Sequence, residues 1–166
     1  MKYHGPKERV DAARSEVTSP ENLAMLSTAD EIFVRAAVAQ NPSTSVNVLN
    51  SFAARLLETE NDWEIAANLA ENPNLKEETL LILMKSILQC SINITPRDYY
   101  PNRTIMAVSR SVAATIEIMS MLSNPEYIPK YLRYILLQSG CRQELAELLL
   151  KDPSEKIRKR ASNVLG

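Results

Sequence analysis

Apolar residues recur along this chain in short stripes with helical spacing, and polar corners separate them. Val34, Ala37 and Val38 fall at i, i+3 and i+4, the spacing that lines one face of an α-helix. Val46, Leu49 and Ala53, with Phe52 beside them, continue the pattern. Ile65, Ala66 and Leu69 follow, and then Leu80, Leu83, Met84 and Ile87. Between the stripes stand Ser19-Pro20, Asn41-Pro42, Asn72-Pro73, Asn124-Pro125 and Asp152-Pro153. Proline disfavours α geometry in the residue before it, so each pair ends one helix. Its fixed φ and missing N–H suit the start of the next. Asp62 and Ser154 are the expected N-caps, and Gly140 the stop after a helix over Ile128 to Gln138. The segment from about Ile92 to Arg103, with Pro96, Tyr99, Tyr100 and Pro101, reads as an irregular connection.

Short amphipathic helices at intervals of roughly 22 to 31 residues, joined by brief corners, predict stacking rather than a bundle, because no single pair buries its own apolar face. The expectation is an all-α fold in one helical-repeat domain over residues 1–166, with its clearest repeats at 30–86 and 145–166.

Particular residues carry a family resemblance. Val38-Ala39-Gln40-Asn41-Pro42-Ser43-Thr44-Ser45, followed by Leu49 and Ala53, resembles the bacterial leucine-rich repeat variant. Leu69-Ala70-Glu71-Asn72-Pro73-Asn74, with Leu80 and Leu83, is a second copy, and Glu16 to Leu26 a degraded third. Asp152-Pro153, Ile157-Arg158, Ala161 and Leu165 are similar to the HEAT repeat, as are Asp30, Val34-Arg35 and Val38. The resemblance implies a right-handed α-α superhelix, a short HEAT-like, armadillo-like solenoid. It also implies that the Asp and Arg residues of these two segments tie neighbouring repeats together. The best-known variant-repeat protein carries an iron–sulfur domain; the clustered cysteines for that ligation are missing here.

Composition narrows the picture. Three glycines and two phenylalanines in 166 residues argue against a strand-rich fold with many tight turns. Cys90 and Cys141 are isolated, which fits a reducing compartment, and the longest apolar run, Leu80 to Met84, ends at Lys85, far short of the ~20 residues of a spanning helix. A cytoplasmic protein is expected. The net charge of −1 excludes a generally polyanion-seeking protein but leaves room for a local basic patch.

Little in the inventory points to catalysis. His4 is the sole histidine, and no HExxH, GxSxG or phosphate-cradling glycine loop occurs. Glu58, Glu60, Asp62 and Glu64 alternate like a calcium loop, but Trp63 stands where such a loop needs glycine. Helical-repeat DNA glycosylases are the sharpest enzymatic alternative; they need a long basic groove with a catalytic carboxylate, and nothing here marks one. No catalytic residue, metal or cofactor is expected.

Two surfaces invite a binding role. Lys156, Lys159 and Arg160 cluster opposite the stripe of Ile157, Ala161, Val164 and Leu165, and serve either solubility or phosphate contact. Tyr127, Tyr131 and Tyr134 lie at i, i+4 and i+7, rotated ~100° from Ile128, Leu132 and Ile135, with Lys130 and Arg133 beside them. They either pack their rings and wet their hydroxyls or form a recognition surface. The expectation is a non-enzymatic protein-interaction module, a scaffold, adaptor or immunity-type inhibitor, with Tyr127, Lys130, Tyr131, Arg133 and Tyr134 at its interface. The alternative is a nucleic-acid-binding helical repeat using the basic C-terminal helix.

Overall fold

The computed structural model describes residues 5–55, 62–89, 94–138 and 140–166. Among these the chain is all-α, without a strand. Its helices are α1 (Pro6–Arg14), α2 (Pro20–Leu26), α3 (Ile32–Gln40), α4 (Val46–Arg55), α5 (Asp62–Ala70), α6 (Glu77–Gln89), α7 (Tyr99–Arg110), α8 (Ile116–Ser123), α9 (Lys130–Leu136), α10 (Gln143–Leu149) and α11 (Glu155–Leu165). They group into two compact units, residues 1–90 and 91–166.

Within the first unit, α1 packs on α3 and α3 on α5, while α4 pairs with α5 and α6 and α2 lies against α1 and α3. The predicted stripes supply the interior: Val34, Val38, Leu49, Leu69, Leu80, Leu83 and Met84 are fully buried. Trp63 is buried too, as part of α5. Val46 departs from its stripe. It opens α4 and is exposed, because a helix's first residue lies beyond the neighbour that covers its later turns.

Within the second unit, α9 contacts both α7 and α11, while α10 packs against α8 and α11. Ile105, Ile118, Met119, Leu122, Ile128 and Leu132 form its centre. Two boundaries differ from the sequence expectation. Helix α7 already begins at Tyr99, within the expected connection, because Pro101 sits in its first turn, where a missing N–H costs no hydrogen bond. Helix α9 begins only at Lys130, with Pro129 as its extended N-cap, since Pro129 biases Ile128 away from α geometry. Val164, expected inside, is exposed on α11; Ile157 and Ala161 are buried.

The proline corners do more than break helices. Pro20 is the first residue of α2, with the Ser19 hydroxyl accepting from the Asn22 N–H at 3.3 Å. At the other four corners the residue before proline forms a side-chain turn instead. The Oδ1 atoms of Asn41, Asn72, Asn124 and Asp152 accept the N–H two residues on, at 2.8, 2.9, 2.8 and 2.7 Å. Such a turn delays the next helix by a few residues.

The asparagine amides at two of these corners reach back across the stack. Asn41 Nδ2 donates to the Ala13 and Ser15 carbonyls at the end of α1, at 2.7 and 2.9 Å. Asn72 Nδ2 does the same to the Ala39 and Asn41 carbonyls at the end of α3, at 2.8 and 2.9 Å. Each thereby satisfies carbonyls that a helix leaves unpaired at its C-terminus. In the second unit a guanidinium takes this part: Arg142 Nη1 donates to the Ser111 and Ala114 carbonyls at 3.1 and 2.6 Å.

The two HEAT-like arginines share one geometry that differs from the one implied. Arg35 Nη1 donates to the Ala29 and Asp30 carbonyls at 2.6 and 2.8 Å. Arg158 Nη1 donates to the Asp152 and Pro153 carbonyls at 2.7 and 3.0 Å. Both therefore pin their own corner at the same sequence offset. Of the four Asp and Arg residues it is Asp152 that reaches a neighbouring helix, pairing with Arg133 of α9, while in the first unit Arg9 of α1 pairs with Glu31 before α3.

Candidate functional site

The five residues expected at an interface meet different fates around α9. Arg133 is only 4% exposed and does not reach the surface. Its Nε donates to Asp152 Oδ2 at 2.7 Å and its Nη2 lies 3.4 Å from Oδ1, while Nη1 donates to the Ile128 carbonyl. The Asp152 side chain is fully buried. Arg133 falls inward beside Leu132 and Leu136 because the corner before α11 brings a carboxylate there. Charge on a helix face does not imply solvent exposure when a neighbouring corner supplies the counter-charge.

Tyr131 turns toward α7. Its hydroxyl donates to Asn102 Oδ1 at 2.8 Å. Burial pushes its phenol above the usual tyrosine range, the Asn102 bond opposes this, and the charge of Asp98 adds to it. Tyr134 turns toward α11, where Lys156 Nζ and Arg160 Cζ each lie 4.6 Å from its ring centroid. Arg160 also donates to the Leu137 carbonyl through Nε at 3.2 Å and approaches the Tyr134 hydroxyl through Nη1 at 3.4 Å. Tyr127 precedes α9 in a turn and is 51% exposed, and Lys130 is exposed at the start of the helix.

The three tyrosines thus do not share one helix face. Tyr127 lies off the helix, Tyr131 bridges to α7, and Tyr134 to α11. The basic cluster divides as well: Lys156 and Arg160, one turn apart on α11, converge on Tyr134, while Lys159 pairs with Glu155 at 2.7 Å. In the sequence the tyrosines and the C-terminal cations are separate features. The one signal of their meeting is the separation along the chain: Arg160 lies 26 residues after Tyr134, comparable with the reach of the Asn41 and Asn72 amides.

The remaining candidate groups offer little chemistry. Cys141 is half-buried; burial pushes its thiol up, so it stays protonated at neutral pH. His4, Cys90, Glu58 and Glu60 lie outside the described residues. Among the described residues no three of His, Cys, Asp and Glu come together in a group able to hold a metal ion, and no helix is long and apolar enough to cross a membrane. Comparison with protein-family models, with curated proteins and with solved structures finds no match to this chain.

Proposed function

We propose that this chain is a non-enzymatic protein-interaction module, a scaffold, adaptor or immunity-type inhibitor, that binds a protein through the face formed by α9 and α11. Its architecture is a short helical repeat of leucine-rich-repeat-variant and HEAT-like character. The repeated asparagine reach at α1, α3 and α5, and the shared geometry of Arg35 and Arg158, support that part of the reading.

One observation carries the functional part: an aromatic ring, Tyr134, braced by two cations, with the exposed Lys130 one turn earlier on the same helix. Tyrosine offers a large amphipathic contact at low entropic cost, and tyrosine and arginine are enriched where interfaces concentrate their energy. Bracing holds Tyr134 in one orientation before a partner arrives, which lowers the cost of association. The proposed surface centres on Tyr134 with Lys130, Lys156 and Arg160 and extends to the exposed Tyr127 before α9; Tyr131, turned toward α7, and the buried Arg133 support α9 from its other sides.

Tyr127→Ala tests the reading because Tyr127 is exposed and its removal leaves the interior intact. The protein is purified from its native host with and without the substitution, each in parallel with and without nuclease treatment. A specific protein should co-elute with the wild type, and Tyr127→Ala should weaken its binding by about 2 kcal/mol with an unchanged thermal midpoint. Retention of nucleic acid instead, lost on nuclease treatment, would count for the nucleic-acid alternative. Undiminished binding by Tyr127→Ala would remove this face from consideration.

A further inference from the structure

Lys156 and Arg160 occupy successive turns of one helix and approach one ring, so two positive charges are held close together. Like charges at this spacing repel and disfavour the helix that carries them. A protein commonly relieves such a pair with a nearby carboxylate, and here the nearby carboxylates are committed elsewhere. Glu155 pairs with Lys159, and Asp152 is buried against Arg133. Among the described residues neither Lys156 nor Arg160 has a carboxylate partner. What holds them is the Tyr134 ring face, the Leu137 carbonyl and the tyrosine hydroxyl. These interactions fix the position of the charges without neutralising them. Their surroundings add to the positive potential: residues 91–166 contain eleven Lys and Arg against seven Asp and Glu, whereas residues 1–90 contain eight against thirteen.

Resting on the protein-binding reading above, we propose that the α9–α11 face receives a carboxylate-rich segment of the partner protein, with its acidic side chains seated on Lys156 and Arg160 at the edge of Tyr134. A guanidinium presents a planar fork that matches a carboxylate, and an ammonium adds a compact second charge. Prior fixation of both means that little side-chain freedom is lost when the acid arrives.

Carboxylates fit this face better than a nucleic-acid backbone does. Tight phosphate tracking uses a run of six to ten or so cations, whereas α11 carries Lys156, Arg158, Lys159 and Arg160, and of these Lys159 is paired with Glu155. Single-stranded nucleic acid also stacks its bases on open aromatic faces, and Tyr134 already has two cations against its ring. A short patch of two converging charges is the size of an acidic side-chain pair.

The test uses the full chain and a fluorescein-labelled peptide of alternating glutamate and serine, with an oligothymidylate of equal charge as the comparison. Fluorescence anisotropy at low ionic strength should show the peptide binding more tightly than the oligonucleotide, with affinity falling as salt is raised. Lys156→Gln/Arg160→Gln should weaken peptide binding at least ten-fold. Lys76→Gln/Lys85→Gln, which removes the same net charge from the other unit, should leave it unchanged. Lys156→Gln alone, which takes one ammonium off the Tyr134 ring, should reproduce part of the loss with the thermal midpoint intact, which separates binding from folding.

Equal weakening by both double substitutions, tighter oligonucleotide binding or no peptide binding at low salt would each overturn the proposal. The native partner distinguishes this proposal from the broader one. If it binds Lys156→Gln/Arg160→Gln as tightly as wild type but loses affinity for Tyr127→Ala, the acidic-segment inference falls while the protein-binding reading stands.

Discussion

Arg133 and Asp152 show how far one residue's role depends on its neighbours. A buried ion pair contributes little relative to a well-packed apolar substitute, yet removing one partner leaves an uncompensated charge inside the protein. Arg133→Ala should therefore destabilise the chain by about 3–5 kcal/mol, measured as a lower urea midpoint. Arg133→Lys should recover only part of this, since a lysine cannot supply the fork that also reaches the Ile128 carbonyl. A neutral effect of Arg133→Ala would mean that Asp152 finds water or another donor. Tyr131→Ala, by contrast, is a poor probe of binding. It deletes the tie to Asn102 as well as the surface ring, so stability and affinity would fall together.

At the scale of helices, the asparagine corners join turn formation to stacking. Asn72 uses its oxygen for the turn and its amide nitrogen for two carbonyls of the preceding layer. Asn72→Ala should cost about 2–3 kcal/mol, because it strands buried acceptors as well as the turn. Asn72→Asp keeps the turn oxygen but points a carboxylate at those carbonyls, so its folded pKa should lie above the ~3.9 of an unfolded aspartate. The sign follows: the protonated acid can donate, so stability is greatest below the unfolded pKa and is lost as pH rises through the folded one. Urea unfolding of this variant across the acid range should show it closest to wild type at low pH. A pH-independent deficit would show that the amide reach matters less than the turn.

At the scale of the whole molecule, each compact unit has its own apolar centre, Leu49, Leu69, Leu80 and Met84 in one and Ile105, Met119, Leu122 and Leu132 in the other. Units of this length are small enough to be marginal, yet chains of comparable size fold alone. Residues 1–90 and 91–166, expressed separately, should each give a helical circular dichroism spectrum and a cooperative melt. Failure of either to unfold cooperatively would mean that its buried residues do not constitute an independent core. The charge division also belongs to this scale, since acidic residues dominate the first unit and basic ones the second.

Local patterns were legible without coordinates. Stripes spaced by three and four residues specified the helices, and the Asn41, Asn72, Asn124 and Asp152 corners specified where α3, α5, α8 and α10 end to within a few residues, whereas α1 already stops at Arg14, before Ser19-Pro20. Ile128-Pro129 obeys the same rule, and so α9 starts at Lys130 and leaves Tyr127 in the turn before it. The fate of polar side chains was not legible in this way. Whether an asparagine amide meets a carbonyl about thirty residues back, whether Arg133 is sheltered or exposed, and which cations reach Tyr134 all depend on the register in which helices stack. Helical periodicity assigns a side chain to a face, but only the packing of a second helix against that face determines whether it meets solvent, a counter-charge or a ring.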